Sequence, residues 1–276
     1  MAGWLSDQPA IETGLHMKKG ILIVSFGTTH QETKIKNIER VVGAVAEYYP
    51  DYPIYQAYSS SIVRNILKKR DKLIIPDTKE ALLAMQRDGI TQVAVLPTHI
   101  IDGIENNRMK QAIDDCRGMF RSIAIADVLL AREEDYKMIV RDLWCEIKEE
   151  IDGASVIFMG HGSAHEADQS YEKLEAEFRD YTKEEIYLAT VEGKVAIEDV
   201  IMRLKSSTKI DNRIVLLPFM LVAGDHAIHD MAGEEDSFTA KLKAEGYKVR
   251  CILKGLGEYE SIRRIYIEHL RKVMEL

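Results

Sequence analysis

The sequence predicts an α/β protein of two Rossmann-like lobes related by internal duplication, each a four-stranded parallel sheet flanked by helices. Three observations predict it. Short β-branched and leucine runs alternate with stretches of helical periodicity along the 276 residues, the pattern of βαβ units. The order of these segments repeats once. Strings in the two halves also match. Val93-Ala94-Val95-Leu96-Pro97 echoes Ile214-Val215-Leu216-Leu217-Pro218, and Gly103 and Gly224 follow at the same interval. Phe26-Gly27-Thr28 likewise corresponds to His161-Gly162-Ser163.

The first strand is Gly20–Ser25. Thr29 and Glu32 then read as a capping box, opening a helix that carries Ile35, Ile38, Val41, Val42 and Val45 at helical spacing. Pro50 and Pro53 end it, and Ile54–Tyr58 is the second strand. Ser59-Ser60-Ser61 caps a helix through Ile62, Val63, Ile66 and Leu67, and Asp77 with Glu80 caps another, Thr78–Arg87, which stops at Asp88-Gly89. Gln92–Leu96 is the third strand. A helix from about Glu105, a strand Ser122–Leu130 and a long helix Glu133–Ile151 complete the half. In the second half the strands are Ser155–Gly160, Ile186–Val191, Ile214–Leu217 and Lys248–Leu253. Helices run through Tyr171, Leu174 and Phe178, over Ile197–Leu204, from about Ile228, and from Tyr259. The expected division is an N-terminal lobe at 17–132, a connecting helix at 133–152 and a C-terminal lobe at 153–276. Residues 1–16 read as a disordered extension or tag without function.

Composition narrows the function. A net charge of −8 argues against a protein that must neutralise nucleic-acid phosphates. No apolar run approaches the roughly 20 residues that span a bilayer, and the opening residues lack the pattern of a secretory signal, so a cytoplasmic location is expected. The three cysteines, Cys116, Cys145 and Cys251, are far apart and in no CxxC spacing, which fits reduced packing residues better than a thiolate metal site. The Gly160-x-Gly162 pair lacks a third glycine, no Walker lysine follows, and Gly162-Ser163-Ala164 is no nucleophile elbow, so no nucleotide cofactor is expected.

The chemistry concentrates at the carboxyl edge of the second sheet, where open α/β folds keep their sites. His161 follows the first strand of the second half, Glu192 the second and His226 the third. Two imidazoles and a carboxylate form a borderline donor set that suits cobalt, nickel, iron(II) or zinc and leaves coordination positions open. Plainer readings stand beside this one. A histidine between two glycines can simply occupy a tight turn, and Glu192 can be a surface residue ahead of a helix. His229, one turn past His226, reads as an accessory or solvated group, while His30 and His165 read as surface residues. In the first lobe Phe26 stands where the second has His161, Glu105 corresponds to His226, and His99 is either a core histidine or part of a cleft wall.

These residues resemble a known family, the class II chelatases, and within it the anaerobic cobalt chelatases of cobalamin synthesis. The resemblance runs from about Lys18 to the C-terminus. It is carried by Val24-Ser25-Phe26-Gly27-Thr28, Arg64, His99-Ile100-Ile101-Asp102-Gly103 and Phe158-Met159-Gly160-His161-Gly162. It continues through Val191-Glu192, Met220-Leu221-Val222-Ala223-Gly224-Asp225-His226-Ala227, Asp230-Met231-Ala232 and Gly255-Leu256-Gly257-Glu258. It implies a tetrapyrrole cleft between two chelatase-like lobes and ATP-independent insertion of cobalt(II), as substrate metal, into sirohydrochlorin or precorrin-2. His161, Glu192 and His226 would be the metal ligands, His161 also the base that removes pyrrole protons, and Glu105 a second catalytic acidic residue. Phe26, Gly27, Thr28, Tyr58, Ser59, Ser60, Arg64 and His99 would face the macrocycle, although Arg64 also reads as part of a solvated face with Lys68, Lys69 and Arg70. His229 departs from the asparagine expected there. The rival readings are iron or nickel insertion into the same macrocycle and a non-catalytic cobalt or haem carrier. A homo-oligomer is compatible with all of them.

Overall fold

The computed structural model describes residues 18–164, 166–207 and 212–275. The expectations for residues 1–16 and for His165 lie outside the described residues. Eight strands form two four-stranded sheets, all neighbours parallel, ordered β2-β1-β3-β4 and β6-β5-β7-β8. The strands are β1 Lys19–Ser25, β2 Ile54–Tyr58, β3 Gln92–Pro97, β4 Ser122–Ile125, β5 Ser155–Gly160, β6 Ile186–Thr190, β7 Arg213–Pro218 and β8 Lys248–Cys251. The identical strand order is the structural form of the duplication expected from the paired strings.

Period-two alternation sorts each strand between two cores. Leu22, Val24, Val93 and Val95 meet helices Thr78–Arg87 and Ile104–Cys116 on the outer face of the first sheet. Ile157, Met159, Ile214 and Leu216 meet helices Ile197–Ser206 and Phe238–Ala244 on the outer face of the second. The remaining faces share one continuous core. Ile21, Ile23 and Leu96 of the first sheet and Val156, Phe158 and Leu217 of the second belong to it, joined through Tyr136, Ile139, Val140, Leu143 and Ile147 of helix Glu133–Ile151. That helix straps the lobes together. So does the last helix, Glu260–Met274, reckoned by chain order to the second lobe. It packs on the first sheet, with Tyr266 Oη donating to the Thr98 carbonyl at 2.9 Å and Lys19 Nζ to the Met274 carbonyl at 2.8 Å.

Local signals hold where side chains serve their own backbone. Asp77 and Glu80 form a reciprocal capping box, and Ser60 accepts the Val63 N–H at 3.3 Å to start helix Ser61–Asp71. They fail where a distant partner competes. Thr29 and Glu32 form no capping box. Thr29 Oγ1 donates across to Asp225 Oδ2 at 3.3 Å, Glu32 pairs with Lys36, and the helix starts uncapped at Gln31 with a π segment at Lys34–Ile38. The strand expected to reach Leu130 ends at Ile125, because Leu129 and Leu130 donate instead to the carbonyls of His99 and Ile100 in the loop beyond β3. The helix expected from Ile228 is only a π turn, Ala227–Met231. The regular helix begins at Phe238, where Ser237 caps the Ala240 N–H at 3.0 Å.

Candidate metal and substrate cleft

The carboxyl edges of the two sheets face each other. Thr28 lies against Gly224, whose Cβ, were one present, would sit 3.4 Å from Thr28 Oγ1, and Gly103 is similarly near Ser163 Oγ. Asp225 reaches across to accept from Thr29, and its Oδ1 lies 2.7 Å from His30 Nε2. Burial opposes ionisation of the Asp225 carboxyl, but bonds from His30 and Thr29 outweigh it and hold the group below the usual carboxylate range. At the far end Gly255 and Gly257 close on Asn37, which leaves no room for a Cβ at either position.

The turns that carry the site follow from two positive-φ glycines in matching places. Gly27 has φ +102 and Gly162 φ +81, a region open to glycine at little steric expense. A Cβ on Gly27 would fall 2.8 Å from Tyr58 Cγ, and one on Gly162 would fall 2.7 Å from Gly193 Cα. Each turn therefore lies hard against the end of the neighbouring strand or the loop beyond it. The residue ahead of each glycine faces its counterpart, with the Phe26 and His161 rings 6.1 Å apart.

His161 and His226 come together, ring centroids 4.8 Å apart and planes at 90°. In each ring Nδ1 faces an oxygen acceptor: the Gly162 carbonyl at 3.0 Å for His161 and Asp230 Oδ2 at 2.7 Å for His226. An acceptor at Nδ1 places the ring proton there and leaves the Nε2 lone pair available to a metal. It is thus Asp230, not His229, that serves His226; His229 is exposed. The Glu192 N–H donates to the His161 carbonyl at 2.8 Å, and its side chain is exposed. Among the described residues no three His, Cys, Asp or Glu side chains already stand in metal-holding range, so the structure brings two of the three expected ligands together and leaves the carboxylate outside.

In the first lobe, His99 is buried and its Nε2 lies 3.2 Å from Ser59 Oγ. Burial lowers its pKa from the ordinary 6.5 to about 4, so it is a neutral imidazole backing Ser59. Phe26 is 39% exposed and presents an apolar surface, whereas Tyr58 and Ser60 are buried beneath it, one against Gly27 and one as a helix cap. Arg64 is engaged by Asp77 at 3.5 Å and Glu80 at 3.9 Å. Glu105, in the first turn of helix Ile104–Cys116, is half-buried and pairs with Arg108 at 2.5 Å. Sequence reasoning missed Asp168 and Asn37, and it placed Asp230 in a matching string without giving it a role. Only Asp230 had a local signal, its i,i+4 spacing from His226.

A family model described as cobalt chelatase (CbiK) matches residues 19–275. A protein of Salmonella typhimurium named sirohydrochlorin cobaltochelatase is 31% identical over 261 residues, covering 94% of this chain and 98% of that protein. Sirohydrochlorin cobaltochelatase CbiKC of Nitratidesulfovibrio vulgaris is 30% identical over 261 residues, covering 92% and 89%. Among solved structures, SirB from Bacillus subtilis with Fe3+ superposes with a TM-score of 0.64 at 15% identity, covering 93% of this chain and 96% of that one. Sirohydrochlorin chelatase SirB from Bacillus subtilis subspecies spizizenii in complex with cobalt gives 0.61 at 16%, covering 94% and 96%. These two structures share the two-lobed fold.

Proposed function

This chain belongs to the cobalt chelatase (CbiK) family, and we propose that it inserts cobalt(II) into sirohydrochlorin without ATP. The observation that carries this reading is the His161–His226 pair, each ring with Nδ1 engaged and Nε2 available, opposite Phe26 across a cleft formed by two sheet edges. Sirohydrochlorin is what these two curated relatives act on by name.

The reaction removes two pyrrole N–H protons and exchanges the metal's other ligands for four ring nitrogens. In this reading His161, Glu192 and His226 deliver the metal, Glu192 turning inward when cobalt arrives. A nitrogen and carboxylate set holds a borderline divalent ion firmly enough to position it and releases it more readily than thiolates would. His161 is also the base: its Nε2 lone pair, given up by the metal as the metal passes to the ring nitrogens, takes up a pyrrole proton, as an imidazole does near neutral pH. Glu105 assists from the opposite lobe. Phe26, Gly27, Thr28 and Ser59 form the wall against which the macrocycle lies, and His99 fixes Ser59. Positioning ring and metal against one another is a proximity effect. No energy-coupling nucleotide is required, in keeping with the absence of any nucleotide loop in the sequence. No helix among the described residues is long and apolar enough to cross a membrane, and we place the reaction in the cytoplasm.

Anaerobic mixing of sirohydrochlorin and cobalt(II) with the protein, followed by absorption, tests the reading. Conversion faster than in buffer, lost in His161→Ala, is expected. A wild type that does not outpace buffer with cobalt, iron or nickel would overturn it in favour of a carrier.

A further inference from the structure

One buried carboxylate ties together the two loops that bear the proposed ligands. Asp168 is 2% exposed, its Oδ1 accepts the Ser163 N–H at 2.9 Å, and its Oδ2 accepts the Lys194 N–H at 2.8 Å. Ser163 lies two residues past His161, and Lys194 lies two residues past Glu192. The loops follow different strands, β5 and β6, and the same carboxylate holds each at the same distance from its ligand. The space around the bracket is filled. A Cβ on Gly193 would stand 2.5 Å from Asp168 Oδ1, and the two loops touch at Gly162 and Gly193. An ionised carboxylate only accepts, so it satisfies two N–H donors at once, whereas an amide presents one oxygen and turns an NH2 group against the other donor.

We propose that Asp168 is a positioning residue for the metal: it sets the separation of His161 and Glu192, and thereby the affinity and coordination geometry of cobalt(II). The proposal rests on the reading of those two residues as ligands. Metal sites tolerate only a few tenths of an ångström of ligand displacement, and groups that hold ligands in place commonly alter affinity by about 10–100-fold when removed. Asp168 touches neither ligand side chain; it acts through the backbone two residues on.

The test titrates cobalt(II) alone, anaerobically, into the full chain and into Asp168→Asn and Gly193→Ala. Affinity and the visible ligand-field spectrum are read, with circular dichroism and thermal melting to establish folding. Asp168→Asn is expected to bind cobalt about 10–100-fold more weakly, with a changed ligand-field spectrum that loss of stability alone would not produce. Gly193→Ala keeps the carboxylate but displaces it and is expected to change the spectrum in the same sense. Should Asp168→Asn not fold, Gly193→Ala decides on the same readouts. Wild-type affinity and spectrum in a folded variant would overturn the role of Asp168. A wild type that takes up no cobalt is a separate result, overturning the ligand assignment beneath it.

Discussion

Replacing Asp135 with asparagine should remove much of the stability that holds the lobes together. Asp135, in the first turn of the strap helix Glu133–Ile151, and His269, on the last helix, are 1% and 0% exposed, with Oδ1 and Nε2 2.9 Å apart. The other ring nitrogen of His269 faces the Asp127 carbonyl at 3.3 Å, so the ring form that donates to both neighbours is the doubly protonated one. Asp135 Oδ2 also accepts the Arg132 N–H at 2.8 Å, a cap that an asparagine oxygen would keep. Burial by itself would raise the Asp135 carboxyl, but the bond and charge of His269 and the Arg132 N–H prevail and hold it below the usual carboxylate range. Removing one partner of a buried pair costs about 3–5 kcal/mol, because the remaining charge is left in the core. For a protein of this size that corresponds to a Tm lower by on the order of 10 °C. The sign with pH follows from the depressed carboxyl. Its contribution is complete above the ordinary carboxylate pKa and disappears as pH falls through the lower folded value, so the wild type should lose stability on acidification more steeply than Asp135→Asn. Thermal and urea unfolding monitored by far-ultraviolet circular dichroism, from pH 7 down to pH 3, measures both effects. A variant melting within about 2 °C of the wild type at pH 7, or one with the same acid slope, would refute this account.

Gly162→Ala should fold but lose most chelatase activity. The φ of +81 and the contact with Gly193 displace the His161 turn, a local strain of about 1–3 kcal/mol; activity and melting measured together check it, and wild-type rates would count against it. His99 should remain neutral well below the pH at which a free histidine protonates, visible as an unshifted imidazole Cε1–H resonance through pH 5. Since the unfolded ring takes up a proton near pH 6.5 and the folded ring only near 4, stability should decline as pH falls between these values, and His99→Gln should flatten that decline.

The fold class was legible because its signals are local. Runs such as Ile214–Leu217 and the alternation Ile21–Val24 report which backbone is covered on both faces, and Asp77 with Glu80 reports a helix start within four residues. The placing of the candidate residues was legible in part for the same reason. In a parallel sheet every strand ends at one edge, so His161, Glu192 and His226 share that edge whatever the loops do. Three things belong to tertiary structure alone. Thr29 leaves its own helix for Asp225, 196 residues away; helix Glu260–Met274 returns to the first sheet; and Asp135 finds His269 across 134 residues of chain. Periodicity says which face of a segment is buried. It does not say which distant polar group the packing will bring to that face: Asp168 bonds Ser163 within its own loop, but only packing brings the loop after β6 to its second oxygen.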